Sequence, residues 1–406
     1  MSEKKSLYGR IVLFLSCLGI FSASYTQYQL SPLAPKIISS LGLSTSQFTS
    51  IFSAPMIPAV FLSLVAGLMV DKFGAKKVIA IGLLISAAGS CLRLTASSYS
   101  TLLIYMIMTG FGAAFLNANA AKIFGGWFPP EKISSMMGIF LAASTIAMTV
   151  GTGTTALFPS ITSAYATAAV VSVFAAVLWI ALMKNPVSTG ADNVPPSRPI
   201  SESLKVVAKS SPVWIVGLCL MCILASNITI SSFLPTALGG RGISSVAAGA
   251  FSTAITLGFF VGCLFAPLIA TKLGKMKPLM FVFGLISAFG VAFAWLSPQG
   301  ALLWIGLFIT GIAMGGLMPL LMSIPIQLPE IGPTYAGTAG GFTGTLQLLG
   351  AVVVPAYIIA PIAGSNMKLF FILGGVCMAV LCVLVLFLPE LGAGAKTKVR
   401  AEQKTA

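Results

Sequence analysis

The sequence predicts an all-α membrane protein with twelve transmembrane helices in two parallel six-helix bundles, and three observations predict it. The 406 residues are 57% hydrophobic and only 8% charged, with a mean hydropathy of +1.01, a composition no soluble fold needs. Apolar runs of about 20 residues, the length that crosses the hydrocarbon of a bilayer as a helix, recur about a dozen times. A polar stretch at 184–211, containing Pro186, Pro195, Pro196 and Pro199, divides those runs six and six and reads as a linker.

In chain order the first half supplies spans at 11–32, 48–70, 78–96, 101–124, 134–157 and 162–183. The second half supplies spans at 213–235, 246–270, 278–296, 302–325, 335–359 and 368–388. Residues 1–184 are thus expected to form an N-terminal bundle, 185–211 a cytoplasmic linker, 212–390 a C-terminal bundle and 391–406 a basic cytoplasmic tail. The charged start, Met1 to Arg10, leads into a full-length span without a small-residue cleavage signal, so it reads as a retained cytoplasmic segment.

The formal charge of +15 would suggest nucleic acid in a soluble chain, so the positions of the basic residues decide. In this register nineteen of the 23 fall on one side of the membrane, leaving Lys36, Arg93, Arg241 and Lys368. Lysine and arginine gather on the cytoplasmic side of membrane proteins. Both termini are therefore expected in the cytoplasm of a cell with this chain in its plasma (inner) membrane. The lipid bilayer accounts for the charge, and no nucleic-acid partner is expected.

The halves repeat one another at an offset of 200 residues. Lys72-Phe73-Gly74 recurs as Lys272-Leu273-Gly274, Ala34-Pro35 as Leu234-Pro235, Gly42-Leu43-Ser44 as Gly242-Ile243-Ser244, and Pro129 as Pro329. Internal repeats of this kind are how many transporters place a site between halves. The copy is imperfect, because Thr271 stands where the first half has Asp71.

An enzyme is not indicated. There is no histidine, no nucleophile paired with a base and no metal-ligand cluster, so no cofactor is expected. All seven cysteines lie inside apolar runs, and Cys219-x-x-Cys222 reads as packing. The partners expected are a small-molecule substrate and lipid, for a monomer.

Candidate functional residues are polar groups inside spans, which hydrocarbon tolerates only where they face protein or water. Tyr25, Tyr28 and Gln29 lie three and four residues apart, hence on one helical face, and Gln27 matches Asn227 in the repeat. In the fourth span Gly110, Ala114, Asn117 and Ala121 share a face, and Asn119 and Lys122 another; in the eleventh, Gly340, Gly344, Gln347 and Ala351 form a small-residue stripe. Helix packing explains such stripes as readily as a cavity does. A cavity lined by Tyr25, Tyr28, Gln29, Asn117, Asn227 and Gln347 is the functional expectation. Arg93, near the end of the third span, is expected to snorkel to water. None of the eight acids (Glu3, Asp71, Glu131, Asp192, Glu202, Glu330, Glu390, Glu402) falls in the middle of a span. That predicts transport without a proton-carrying carboxylate.

One stretch is more specific. Gly67, Asp71, Lys72, Gly74, Lys76 and Lys77 spell G-x-x-x-D-K-x-G-x-K-K across the short connection between the second and third spans. Gly67 admits a close neighbour, Gly74 takes the positive φ of a sharp turn, and the lysines are costly in lipid. The pattern resembles the corresponding loop of the major facilitator superfamily. That resemblance implies the superfamily's fold and alternating access, with Asp71 against the start of the eleventh helix near Tyr335, where helix amides attract an anion. Gly67, Asp71, Lys72, Gly74 and Lys77 would be the conformational latch.

Shorter motifs resemble subgroups. Trp127-Phe128-Pro129-Pro130-Glu131-Lys132 resembles organic-anion and nitrate/nitrite members, and Ser31-Pro32-Leu33-Ala34-Pro35 through Leu41-Gly42-Leu43-Ser44 resembles the nitrate/nitrite and cyanate porters. Leu92-Arg93-Leu94, Gly110-Phe111-Gly112 and Met318-Pro319-Leu320 look most like the cyanate and nitroimidazole porters. Nitrate porters hold their anion with arginines at positions that here are Ser63 and Cys263, which departs from that chemistry. Met106 and the proline-free Val150-Gly151-Thr152-Gly153 likewise depart from drug/proton antiporters. The expected substrate is a small anion, an organic carboxylate or cyanate-like; the alternative is export or exchange of a small neutral or amphipathic compound.

Overall fold

The structure, a computed structural model, describes residues 3–128, 130–184 and 200–389. The start at Met1, the first part of the expected linker (185–199) and the expected tail (391–406) lie outside the described residues. The described chain is helical throughout: α1 (Glu3–Tyr28), α2 (Leu30–Leu41), α3 (Thr45–Ser53), α4 (Ile57–Phe73), α5 (Ala75–Leu92), α6 (Tyr99–Thr109), α7 (Phe111–Trp127), α8 (Pro130–Thr154), α9 (Ile161–Leu182), α10 (Ile200–Lys209), α11 (Ser211–Gly239), α12 (Ser245–Leu273), α13 (Lys277–Phe293), α14 (Ala301–Met322), α15 (Gly332–Val353), α16 (Ala360–Ala363) and α17 (Met367–Leu386). Among the described residues, eleven helical segments are long and apolar enough to cross a membrane.

The span expected at 48–70 is the one that falls short as a single helix. It is divided into α3, a 3-10 turn at Ala54–Met56 and α4. Pro55 and Pro58 each lack the N–H that would continue the helical ladder, which leaves pieces of 9 and 17 residues. The first span shows the opposite departure, because helix does not stop at Pro32 but resumes as α2 and runs to Leu41 after an interruption at Gln29. Pro32 cannot donate to the Tyr28 carbonyl, so the helical ladder is interrupted there and then resumes. The expected linker also contains structure: α10 folds at its C-terminal end, with Val207 fully buried in a core that includes Ile324, Leu328, Ile331 and Ala339. Ser210 closes that contact by donating to Glu330 Oε1 at 3.1 Å.

Contacts divide the chain into two units, Met1–Asn193 with Ser232–Thr253, and Val194–Ser231 with Ala254–Ala406. In the first unit, α1 packs on α7, α8 and α9, and α5 on α6, α7 and α9. Its core holds Leu15, Ile79, Leu83, Leu116, Phe124, Phe140 and Trp179. Gly110 brings backbones together: a Cβ there would lie 1.9 Å from the Pro55 carbonyl oxygen.

In the second unit a close seam joins α12 and α14. Gly258 and Gly262 face Gly311 and Gly315, and a Cβ on any of the four would sit 2.0–2.2 Å from a backbone oxygen of the opposite helix. These are two G-x-x-x-G faces packed on each other, the arrangement that lets helices approach where no hydrophobic force separates lipid from protein.

The repeat is visible in the backbone. Gly42 and Gly242 have φ of 60° and 82°, and Gly74 and Gly274 have φ of 83° and 65°. Gly74 and Gly274 directly follow α4 and α12, Gly42 caps α2 and Gly242 ends the turn after α11, all in conformations costly to any residue with a Cβ.

Candidate functional site

The candidate site lies in the first unit, where α5 gives way to a 3-10 turn at Arg93–Thr95. Two hydroxyl contacts hold α5 against its neighbours just before that turn. Ser90 and Ser172 Oγ are 3.0 Å apart, joining α5 to α9, and Ser86 donates to the Thr109 carbonyl at the end of α6. Leu92 and Leu94 are each 40% exposed, whereas Arg93 between them is 1% exposed. The turn therefore aims the arginine into the helices while its neighbours face outward. The expectation that Arg93 snorkels to water is thus wrong. A side chain near a span end reaches water only if its helix presents it outward, and here it points at α1.

There the guanidinium meets neutral groups. Nη1 donates to the Thr26 carbonyl at 2.9 Å and lies 3.8 Å from Met106 Sδ, and Nη2 donates to Gln29 Oε1 at 3.2 Å. Cζ sits over the Tyr165 ring, 4.0 Å from its centroid, a cation–π contact strengthened by burial. Gln29 is fixed from its other end, with Nε2 donating to the Ala164 carbonyl at 3.1 Å. Its amide must therefore turn its oxygen to the arginine. Tyr25, one turn earlier on α1, reaches the Gln29 and Thr154 side chains and the field of Arg93. Gly151 on α8 lets this happen, since a Cβ there would lie 3.2 Å from the Tyr25 carbonyl oxygen and 3.4 Å from Gln29 N. Arg93 is the one charged side chain that is buried among the described residues. A buried charge among neutral partners is costly and attracts a counter-charge.

Of the residues expected to line a cavity, Tyr25 (5% exposed) and Gln29 (0%) meet at Arg93. Tyr28 turns to a different neighbour, with its ring edge-on to Phe52 at 5.4 Å, while Gln27 donates to the Phe52 carbonyl at 2.9 Å. Asn117 is exposed on α7, and Asn119 is buried and bonded to its own helix at the Phe115 carbonyl, 3.0 Å. Lys122 is exposed. In the second unit, Asn227 is buried on α11 and Gln347 on α15, where Gln347 Nε2 lies 3.9 Å from Met318 Sδ. The glycines of the stripe around Gln347 are open, since a Cβ on Gly340 or Gly344 would meet nothing within 4 Å, whereas Ala351 at its end is fully buried.

Gly74 of the expected latch is the whole connection between α4 and α5, so Asp71 and Lys72 sit in the last turn of a helix rather than in a loop. Lys77 is exposed in the first turn of α5. Gly67, Asp71 and Lys72 fall where only the backbone is described.

Sequence reasoning missed Tyr165 and Thr26. Arg93 carried a signal, being an ionisable residue inside an apolar run. Tyr165 carried none, because its role depends on which helix it faces.

The profile of the Major Facilitator Superfamily matches residues 16–355. A hexuronate transporter of Bacillus subtilis (strain 168) is 23% identical over 205 residues, 50% of this chain and 46% of that one, so the chain spans about half of that relative. The probable nitrate/nitrite antiporter NarK1 of Thermus thermophilus is 24% identical over 383 residues, 85% of this chain and 83% of its own. The cyanate transport protein CynX of Escherichia coli (strain K12) is 22% identical over 331 residues, 80% and 83% of the two chains. The crystal structure of the nucleoside transporter NupG superposes with a TM-score of 0.73 at 14% identity, covering 93% of this chain and 98% of that one.

Proposed function

This chain belongs to the Major Facilitator Superfamily, a multi-pass membrane transporter of small molecules rather than an enzyme, and we propose that it carries a small anion by alternating access. The observation that carries this reading is Arg93, a fully buried cation whose hydrogen-bond partners are a carbonyl, an amide and a thioether. A site of this kind gains most from an arriving negative charge, because the guanidinium's desolvation is already complete. Relatives described as carriers of hexuronate, nitrate/nitrite and cyanate support the same choice.

In this reading the anion is received at Arg93, Gln29 and Tyr25, and Tyr28, Asn117, Asn227 and Gln347 line the path. Residues 1–184 and 212–390 act as the two bundles and 185–211 as the linker. The chain works as a monomer in a plasma (inner) membrane with both termini in the cytoplasm. Asp71, with Gly67, Lys72, Gly74 and Lys77, is the latch. The acids that are described sit at helix ends, in a short helix or in a turn: Glu3 begins α1, Asp71 ends α4, Glu131 begins α8, Glu202 lies in α10 and Glu330 in the turn before α15. Transport therefore proceeds by facilitated diffusion, by exchange, or with a proton carried on the substrate itself.

The test is counterflow in proteoliposomes against a panel of labelled small anions and neutral solutes. The expected result is accumulation of a labelled anion against its trapped unlabelled form, lost when Arg93 is replaced by glutamine. Counterflow of neutral solutes with every anion inert overturns the reading in favour of a carrier for neutral or amphipathic compounds.

A further inference from the structure

We propose that the Arg93 site accepts one singly charged, carboxylate-like anion and discriminates against dianions; this rests on the anion reading above and narrows it. The first ground is an inventory of donors. A guanidinium has five N–H groups. Thr26 O, Gln29 Oε1 and Met106 Sδ engage Nη1 and Nη2, but Nε–H has no partner although it is buried. Thr26 Oγ1 and the Tyr165 hydroxyl are also buried without a partner, and both residues touch the arginine. Buried polar groups are nearly always bonded. Arg93 and its two neighbours thus keep three polar groups available to an arriving acceptor. Gln29 cannot serve them, because its oxygen is already given to Nη2 and its nitrogen to Ala164.

The second ground is shape. With Cζ over the Tyr165 ring, one face of the guanidinium is covered, so a ligand reaches it in the plane of its N–H groups. That is the approach of a planar anion with two acceptor oxygens, which an arginine grips with paired, charge-assisted bonds. Thr26 and Tyr165 add neutral O–H donors to such a ligand.

The third ground is charge balance. Arg93 is the single buried charge among the described residues, and Lys122 is exposed, where water and salt screen it. A monoanion brings the site to neutrality. A dianion leaves one negative charge buried without compensation, the situation that is most costly in a low-dielectric interior.

The experiment is exchange by the full chain in proteoliposomes, comparing labelled acetate and lactate with oxalate, malate and sulfate at matched ionic strength. Monocarboxylates are expected to exchange roughly tenfold faster or more. Gln29→Glu, which places a carboxylate of similar shape beside Arg93, is expected to abolish monocarboxylate exchange. Thr26→Val, which removes one orphaned hydroxyl and no charge, is expected to raise the KM several-fold, about the worth of one hydrogen bond. Protection of the unaltered protein against thermal unfolding, stronger with acetate than with oxalate, reads the same preference without any variant. Dianions exchanging as fast as acetate, or Gln29→Glu retaining exchange, overturns the single-charge site while leaving an anion carrier in place. If neutral solutes exchange and no anion of either charge does, both readings fall.

Discussion

The 3-10 turn that closes α5, Arg93–Thr95, and the one that closes α13, Ala294–Leu296, occupy matching places in the two halves. Two hundred residues separate Arg93 from Phe293, yet the first is 1% exposed and the second 47%. The neighbours differ in the same sense. Gln29, which accepts from Arg93, corresponds to Thr229, whose hydroxyl donates to the Ala225 carbonyl of its own helix at 2.8 Å. Thr26, whose hydroxyl is orphaned, corresponds to Ser226, which donates to the Gly374 carbonyl at 2.9 Å. The repeat therefore preserves backbone geometry and not chemistry. At these positions the second half spends its hydroxyls on its own structure, as membrane helices ordinarily do. The first leaves donors unspent around a cation.

The largest expected effect breaks that asymmetry directly. Arg93→Gln should cost about 2–5 kcal/mol of substrate interaction, the usual loss on truncating a buried, hydrogen-bonded charge, and so lower counterflow by well over tenfold. Phe293→Leu should leave counterflow within twofold, because the ring is largely exposed. Next comes the other broken symmetry, between Asp71 and Thr271. Asp71→Asn is expected to slow transport severely with expression intact, and Thr271→Val to be mild; equal rates for the two variants would remove the latch.

A smaller effect separates packed from open glycines in the second unit. Gly311→Ala forces a Cβ to 2.2 Å from the Ile255 carbonyl oxygen and should lower the melting temperature in detergent by the equivalent of about 1–3 kcal/mol. Gly344→Ala should leave it unchanged. A comparable effect sharpens what the halves share. Gly74→Ala and Gly274→Ala should each destabilise by about 1–3 kcal/mol, the cost of a Cβ at positive φ. A melting curve for each variant checks this.

Much of the architecture was legible because helix formation in lipid is local. In hydrocarbon every backbone group must be satisfied within its own segment, so run length and apolarity locate helices without reference to neighbours. The glycine pairs at 42/242 and 74/274 were readable as turns for the same reason, since positive φ is a property of one residue. Pro55 and Pro58 also announced the break in the second span. The unbroken span expected at 48–70 gave too little weight to the hydrogen bonds that those prolines cannot make.

The site was legible only in part. Tyr25 and Gln29 stood out as polar groups on one face of an apolar helix, and that much a period of 3.6 residues reveals. Helical spacing placed Tyr28 on the same face, but its ring lies against Phe52. A face about 100° wide touches more than one neighbour, and periodicity does not say which. Glycine stripes had the same ambiguity, being packed to contact at Gly311 and open at Gly344.

By itself, then, the sequence determined most of the helices, the polar break between the halves, the repeat and the inventory of charges, all of which follow from residue type and spacing. Only the tertiary structure decided that Arg93 points inward, that Tyr165 lies beneath it and that its own Nε–H and two neighbouring hydroxyls are buried without a partner. Those facts depend on the rotation of α1, α5 and α9 about their own axes. That rotation is set by the packing of many side chains at once, so no single stretch of sequence encodes it.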